Sequence, residues 1–570
     1  MTPSHLTQTL ASLSPVDLAV IVLYFAAVVL LGVLLKRRVQ TGEDFFVAGR
    51  EMTAWIAGLS FVAANMGALE LMGWAAGAYE YGVLATHWYW VGAIPAMIFL
   101  ALVMMPFYYI SKTHSVPGYL KLRFGESTRA LSALSFAGMT ILVSGINMFA
   151  MAKVMQVVLG WNLTFSIWVS SATIAVYVTL GGLTSAIFNE VLQFMLIWLG
   201  ALVVPILGLA ECGGFAGLRQ RILQNASVPS GFLHLWTTIN HFGDNPMGIH
   251  WTGIVFGLGF VGSFGYWTTD FLVVQRVIAA KDLRSAQLAP IIGAFFKILV
   301  PFIVILPGLI GVAVLTAENA GLGLLPEATA GPSQHTYNEV LPLLLVRYAP
   351  PGLLGLGITA LIAGFMSGMA GNISAFATVW TYDLYRPLLR PNATDAHYLA
   401  MGRWSTTLGV LVSIGTAYLA MSFNSIMDYT QALFSVLVTP LFGTVLLGML
   451  WKRITPAGGF WGLLAGIGSS LAMWLWVRHN PSALSQIALS ANAKPMAETL
   501  YRMLWSWIVC VTVTIGVSLL TRSRPEEELY GLVYGCTELP RQSQYPLVQR
   551  PVFWGAAALF VFLYLQWVFR

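Results

Sequence analysis

Apolar runs long enough to cross about 30 Å of hydrocarbon recur about fourteen times along this chain, the first near residues 15–36 and the last near 550–569. In lipid a backbone must satisfy its own N–H and C=O groups, so runs of this length become helices. The 570 residues are 57% hydrophobic and only 9% charged, where a soluble protein carries roughly 25% charged residues. The expected fold class is all-α: a polytopic membrane protein with about fourteen transmembrane helices. The net charge of +6 does not point to nucleic acid, because the basic residues alternate from loop to loop. Lys36, Arg37, Arg38 and Arg50 share one loop, Lys112, Lys121, Arg123 and Arg129 another, and Arg276, Lys281 and Arg284 a third. That excess marks the cytoplasmic side and puts both termini outside. A cell (inner) membrane location follows. The first seventeen residues hold no Lys or Arg, the reverse of a cleavable signal peptide, so the first helix is expected to stay. Cys212, Cys510 and Cys536 are scattered, without metal-ligand spacing. No HExxH, P-loop or supported GxSxG motif is present, and no inner loop could hold a nucleotide domain, so an enzyme or an ATP-driven pump is not expected.

One span is unlike a plain anchor. Trp55 to Gly82 reads WIAGLSFVAANMGALELMGWAAGAYEYG, with Asn65, Gly67 and Glu70 at its centre. A carboxylate at the bilayer midplane costs about 2.5–3.5 kcal/mol and faces a cavity or a partner. Small residues around Asn65 let the helix open, and an opened turn offers bare carbonyls to a cation. A second weak helix is expected in the Gly-rich stretch GIVFGLGFVGSFG of residues 253–265. Five spans separate these two disrupted segments and five run from 249 to 451, an odd number that inverts the second set. The expected organisation is an N-terminal extra helix and loop over 1–51, a first five-helix repeat over 52–212 and an outer loop over 213–248. A second, inverted repeat over 249–453 and C-terminal extra helices over 454–570 complete it. The outer stretch Tyr337 to Tyr348 reads as amphipathic, either surface-lying or a lid, and Arg522 to Arg550 as an inner linker.

Six motifs in order carry a family resemblance. They are DFFVAGR (44–50), AAN (63–65), YVTLGGLTSAIFNEVLQ (177–193), the long run from Gly265 to Gly308, SGMAGNISAFATVWTYDLYRP (367–387) and VTPLFGTVLLGMLWKR (438–453). Over roughly Asp44 to Arg453 the chain resembles the sodium:solute symporters, and within them the sodium/glucose and sodium/galactose cotransporters. The resemblance implies a LeuT-type 5+5 inverted repeat with broken first helices. It implies one sodium ion, held by the carbonyls of Ala63, Met66 and Gly364 and the hydroxyl of Ser367. Gly368 stands where the family has a second hydroxyl, and Ala370 and Gly371 stand where a second sodium would need hydroxyls. Proton coupling is the alternative this leaves open.

For the solute, the resemblance implies contacts from Asn65, from the aromatic pair Tyr266 and Trp267, and from Lys297. Glu70, Tyr89 and Ser263 occupy solute positions with changed chemistry, and Gln431 lies beside Ala432, where the family has a glutamine. Trp74 and Trp88 fall at outer-gate positions, and Tyr266 at the inner one. Glu190 and Asp270 are candidates for the ion path, Glu70 and Lys297 could pair across the pocket, and Lys153 needs a partner the sequence does not name. The expected function is sodium-coupled symport of a sugar or sugar-like solute by alternating access. Expected partners are a small polar solute and the lipid bilayer, with no nucleic acid and no obligate protein partner. The alternatives are a sodium- or proton-coupled carrier of an amino acid, carboxylate or vitamin, and a solute sensor that no longer transports.

Overall fold

A computed structural model describes residues 13–36, 42–225, 228–229, 231–236, 245–315, 324–331, 334–423, 425–539 and 544–569. Both chain ends, on which the outward placement of the termini rests, lie outside the described residues, as do Arg37, Arg38 and Arg541 of the basic loops.

The described residues are helical throughout, apart from loops and the isolated bridges Met52–Ala280 and Leu325–Thr336. The helices that matter below are α1 (Pro15–Lys36), α2 (Ala54–Asn65), α3 (Ala68–Tyr81), α4 (Glu126–Leu159), α5 (Leu163–Ala201), α6 (Phe264–Thr269), α7 (Phe271–Ile278), α8 (Leu283–Leu299), α9 (Leu353–Val379), α10 (Ile426–Leu450), α11 (Pro495–Leu520) and α12 (Pro551–Val568). Among the described residues nine helices are long and apolar enough to cross a membrane, and α2 with the α3 segment makes a tenth, bent by 56°. Shorter apolar helices cover Pro15–Val28, Ile94–Ile110 and Leu163–Ala172. The count falls short of fourteen for a physical reason. Several spans are interrupted: Ile94–Ile110 carries a π-helical turn at Leu100–Met104, and residues 253–278 change winding twice.

Burial separates a central bundle from an outer layer. The apolar windows of α4 and of Leu353–Leu388 are 78% and 83% buried, whereas that of α12 is only 17% buried. An apolar helix left that bare needs lipid against it.

The first break falls where the sequence suggests. α2 ends at Asn65, Met66 leaves the helical region with ψ 53°, and Gly67 is extended before α3 begins. A Cβ on Gly67 would come within 2.8 Å of Asn147 Oδ1, so a larger residue there would push against the Asn147 side chain of α4. The second break corrects the expectation. The Gly-rich stretch is not where the chain opens: Gly253–Ser263 is a continuous π-helix, and the interruption comes at Asp270, between α6 and α7. The glycines serve close packing instead. A Cβ at Gly257 would meet Leu500 O of α11 at 2.4 Å. Asp270 makes the break by capping α7, its Oδ1 accepting from Leu272 N at 2.9 Å.

The outer stretch from Tyr337 to Tyr348 does not lie loosely on the surface. Val340, Leu341, Leu343, Leu344 and Leu345 are buried, and the preceding Glu339 is anchored inside the bundle. The segment after Arg522, expected on the inner side, is also packed: Leu529 and Val533 are buried, and Tyr534 N donates to Met449 O at 2.7 Å.

Candidate solute and ion site

The broken helix brings main-chain polar groups and side chains to one cavity between α2–α3, α4, α6, α8, α9 and α10. Asn65, Glu70, Tyr89, Ser263, Tyr266, Trp267, Lys297 and Gln431 all line it, as do Trp74, Trp88 and Asp270.

A hydrogen-bonded chain runs across this cavity. Asn65 Nδ2 donates to Tyr266 Oη at 2.8 Å. Lys297 Nζ donates to Asn65 Oδ1 and to Glu70 Oε1, the second at 2.9 Å. The Lys297 side chain is fully buried and that of Glu70 is 11% exposed, so neither charge has enough water to stand alone. Glu70 follows the break by one turn on α3, while Lys297 projects from the far end of α8; the ion pair closes across the cavity. Lys297 Nζ also lies 5.2 Å from the centroid of Tyr89 and 5.4 Å from that of Trp267, within reach of a cation–π attraction.

Aromatic rings flank the polar chain. Trp74 and Trp88 pack with centroids 4.5 Å apart, and Tyr89 meets Trp74 edge-on at 6.4 Å. Tyr266 packs on Phe434 at 5.1 Å and on Trp267 at 5.0 Å. Flat rings beside hydroxyl-directed donors suit a solute with one apolar face and a polar rim.

Ala63, Met66, Gly364 and Ser367 converge at the break. Ser367 Oγ donates to Ala63 O at 2.9 Å, and a Cβ on Gly364 would stand 3.0 Å from Met66 O. Carbonyl and hydroxyl oxygens without nitrogen or sulfur fit a hard monovalent cation. Gly368 has a steric reason: a Cβ there would lie 3.1 Å from Gly67 Cα and 3.2 Å from Asn147 Oδ1. A hydroxyl-bearing side chain at 368 would crowd the broken turn against α9.

The two candidate ion-path acids play different parts. Glu190 is wholly buried and is not a charge left among headgroups. Its Oε1 lies 2.5 Å from Arg276 Nη2, and its Oε2 accepts from Ser60 Oγ. Arg276 is held further by Leu272 O at 2.9 Å and Gln275 Oε1 at 3.2 Å. Asp270 reaches the cavity wall as the cap of α7, and Lys297 takes Glu70 as its ion partner. Lys153 finds Glu327 at 2.9 Å and Glu339 at 3.1 Å, both from the outer loop.

Two amides in the cavity were not singled out from sequence. Asn147 Oδ1 accepts from Leu69 N at 3.3 Å, and Asn372 Nδ2 donates to Gly368 O at 2.9 Å. Their signal was a polar side chain in the middle of an apolar span, the same signal that exposed Glu70. Thr430 joins the lining beside Gln431, whereas Ala432 does not.

The sodium:solute symporter family model matches residues 45–466. Sodium/glucose cotransporter 4 of Homo sapiens is 31% identical over 539 residues, covering 92% of this chain and 79% of that protein. Sodium/myo-inositol cotransporter 2 of Oryctolagus cuniculus is 29% identical, over 92% of this chain and 79% of that protein. The sodium/mannose cotransporter of Bos taurus is 30% identical, over 80% of this chain and 78% of that protein. Among solved structures, a Na+-coupled sialic acid symporter in a substrate-bound outward-open state has a TM-score of 0.73 at 20% identity, covering 90% of this chain and 99% of that one. That likeness shows a shared fold, the LeuT-type arrangement. The family match runs through both interrupted helices and through α9, which carries Gly364 and Ser367, and the chain belongs to the sodium:solute symporter family.

Proposed function

We propose that this protein couples inward sodium movement to uptake of a sugar or a closely related polyol. The observation that carries the reading is the chain Tyr266–Asn65–Lys297–Glu70, which lies across an aromatic-walled cavity beside the Ala63–Ser367 oxygen cluster. Relatives named for glucose, myo-inositol and mannose support the solute class. Sodium enters from outside and ties the opened turn after Asn65 to α9 through Ala63, Met66, Gly364 and Ser367. The solute then lies between Tyr266 and the Trp74–Trp88 pair, bonded by Asn65, Lys297, Glu70 and Gln431, with Tyr89, Ser263 and Trp267 shaping the wall. The tryptophans close the outer side, and movement of Tyr266 opens the inner side. Glu190 and Asp270 border the route by which the ion leaves.

We place the chain in the cell (inner) membrane with fourteen crossings and both ends outside, in line with the alternating basic loops and the interrupted spans. The two five-helix repeats take residues 52–212 and 249–453, framed by the extra helices at either end. No protein partner is needed for this cycle.

The driving force is sufficient with one ion. A positive charge moving inward gains about 2.3 kcal/mol per 100 mV. A tenfold sodium gradient adds about 1.4 kcal/mol, which together supports roughly several-hundred-fold accumulation. The test is uptake of labelled glucose, myo-inositol and mannose into proteoliposomes, with sodium or choline outside at fixed pH, followed by a pH jump. Sodium-dependent uptake of at least one is expected. Uptake driven equally well in choline by the pH jump would replace sodium with protons, and no uptake under any gradient would leave a sensor.

A further inference from the structure

The buried pair of Glu70 and Lys297 sets what kind of solute the cavity can accept. We propose that Glu70 is a specificity-determining residue: it neutralises Lys297 within the cavity, so that the cavity takes neutral solutes bearing two adjacent hydroxyls and rejects carboxylate-bearing ones. This inference rests on the reading of the cavity as the solute site.

Three observations support it. First, the only cation on the cavity wall, among the described residues, already has a counter-ion. Lys297 Nζ lies 2.9 Å from Glu70 Oε1, and Arg276, a buried cation outside the lining, is tied to Glu190 at 2.5 Å. A solute carboxylate would have to displace Glu70 from Lys297 and leave that acid buried without a partner. A cationic solute that paired with Glu70 would displace Lys297 in the same way.

Second, the pair keeps unused hydrogen-bonding capacity on both members. An ammonium has three donors, and two of Lys297's are given to Asn65 Oδ1 and Glu70 Oε1. One N–H remains. The second oxygen of Glu70, Oε2, accepts no bond from Lys297. A spare donor on Lys297 and the Glu70 carboxylate, which the Tyr89 hydroxyl also approaches, match a vicinal diol: one hydroxyl accepts from Lys297 while its neighbour donates to Glu70. A carboxylate offers acceptors alone and cannot satisfy Glu70.

Third, the surrounding rings and amides add no net charge. Tyr89, Trp267 and Tyr266 present faces or a hydroxyl, and Asn65 and Gln431 are neutral. The other charged group of the wall among the described residues, Asp270, is itself an acid and can only add to the exclusion of a carboxylate, so the acceptance of a neutral diol falls on the pair.

The experiment uses the full chain, purified, with sodium at saturation. Binding of glucose, myo-inositol, glucuronate and glucosamine is read by tryptophan fluorescence and thermal stabilisation, since Trp74, Trp88 and Trp267 all line the cavity. In the unaltered protein, glucose or myo-inositol is expected to bind at least tenfold more tightly than glucuronate and glucosamine. Glu70→Gln frees Lys297, and the ratio of glucuronate to polyol affinity rises at least tenfold. Glu70→Gln with Lys297→Gln removes both charges and returns the preference to the polyol. Should Glu70→Gln not fold, Glu70→Asp keeps the charge but withdraws the oxygen, so polyol binding weakens while glucuronate stays excluded. Tight glucuronate binding by the unaltered protein overturns this inference and leaves the symporter reading standing. An unchanged ratio in Glu70→Gln also overturns it. Failure of all four probes to bind a protein that still responds to sodium removes the sugar reading and this inference together.

Discussion

Ser367 shows how much a single hydroxyl can be asked to do. Its hydrogen bonds Ala63 O at 2.9 Å, so α9 already touches the opened turn, and the same oxygen has a lone pair to offer a cation. If the lone-pair contact to the cation is worth about as much as a hydrogen bond to a charged group, about 1.5–3 kcal/mol, Ser367→Ala is expected to raise half-saturating sodium roughly tenfold or more. Sodium titration of uptake and of tryptophan fluorescence measures it; unchanged activation would take Ser367 out of the site. Tyr266 makes the matching case on the solute side. Tyr266→Ala removes the ring packed on Phe434 at 5.1 Å and the acceptor for Asn65, and uptake is expected to vanish, while Tyr266→Phe keeps the ring and loses about 1 kcal/mol of binding. Equal uptake by Tyr266→Ala and the unaltered protein would separate the ring from transport. At this scale the sequence was informative where a residue type was costly. Glu70 and Lys297 stand out because an apolar span cannot hide a charge without a partner, and the partner of each proves to be the other. Asn147 and Asn372 were passed over because an amide costs less than a charge and packs inside helical bundles without comment. Nothing local says that one of them caps α3 across from the break.

Helices α2 and α3 are separated by two residues whose geometry was legible, since Asn65 and Gly67 are poor continuations of a helix in an apolar run. The second interruption was misjudged because glycine has two uses. The run from Gly253 lets α11 approach, and only the three-dimensional neighbour tells close packing from opening. Gly67→Ala tests the close approach at the first break. The added methyl would meet Asn147 Oδ1 at 2.8 Å, and overpacking of this kind costs about 1–3 kcal/mol. A lower melting temperature and weaker sodium activation are expected together; a neutral result would mean that α4 can yield. The outer loop is another element whose role emerges only in space. Lys153 holds Glu327 and Glu339, Asn338 Oδ1 accepts from Ile426 N at 3.1 Å at the start of α10, and His335 Nδ1 lies 2.6 Å from Glu339 Oε2. Burial opposes the Glu339 carboxylate, but the His335 bond and the Lys153 charge outweigh it and hold its pKa below the ordinary glutamate value. A depressed carboxylate adds stability that is complete above the unfolded value of about 4.3 and lost as pH falls through the folded value. Limited proteolysis of the 324–339 strap is therefore expected to quicken as pH drops below about 4.3. Lys153→Met should lower the melting temperature near neutrality, and by less once acid has already discharged Glu339.

Across the whole molecule, the buried central helices must change their mutual arrangement while α12 and its neighbours stay against lipid. The proposed sidedness rests on the loop charges, and nothing in them could reveal which inner contact must break, because Glu190 and Arg276 are 86 positions apart. Their ion pair at 2.5 Å, with Ser60 Oγ on the same carboxylate, joins α5, α7 and α2, one member from the first broken helix and one from the second. A contact that staples both broken helices on the Lys281–Arg284 side opposes inward opening. Removing one partner of a buried pair costs about 3–5 kcal/mol if the other stays dry. Opening the inner side lets water reach Arg276, so part of that cost is recovered only in the inward-open state. A differential of about 1.4 kcal/mol already shifts the populations tenfold. Glu190→Gln is thus expected to favour the inward-open state without abolishing sodium binding. Ser374→Cys, buried beside Gln275 in a chain whose Cys212, Cys510 and Cys536 are replaced by serine, reports the change. Its reaction with an impermeant maleimide supplied from the cytoplasmic side should quicken roughly tenfold in Glu190→Gln. Sodium should slow it again by drawing α2 back to α9. Equal labelling rates in both backgrounds would mean that the Glu190–Arg276 pair only stabilises the fold and does not hold the inner side shut.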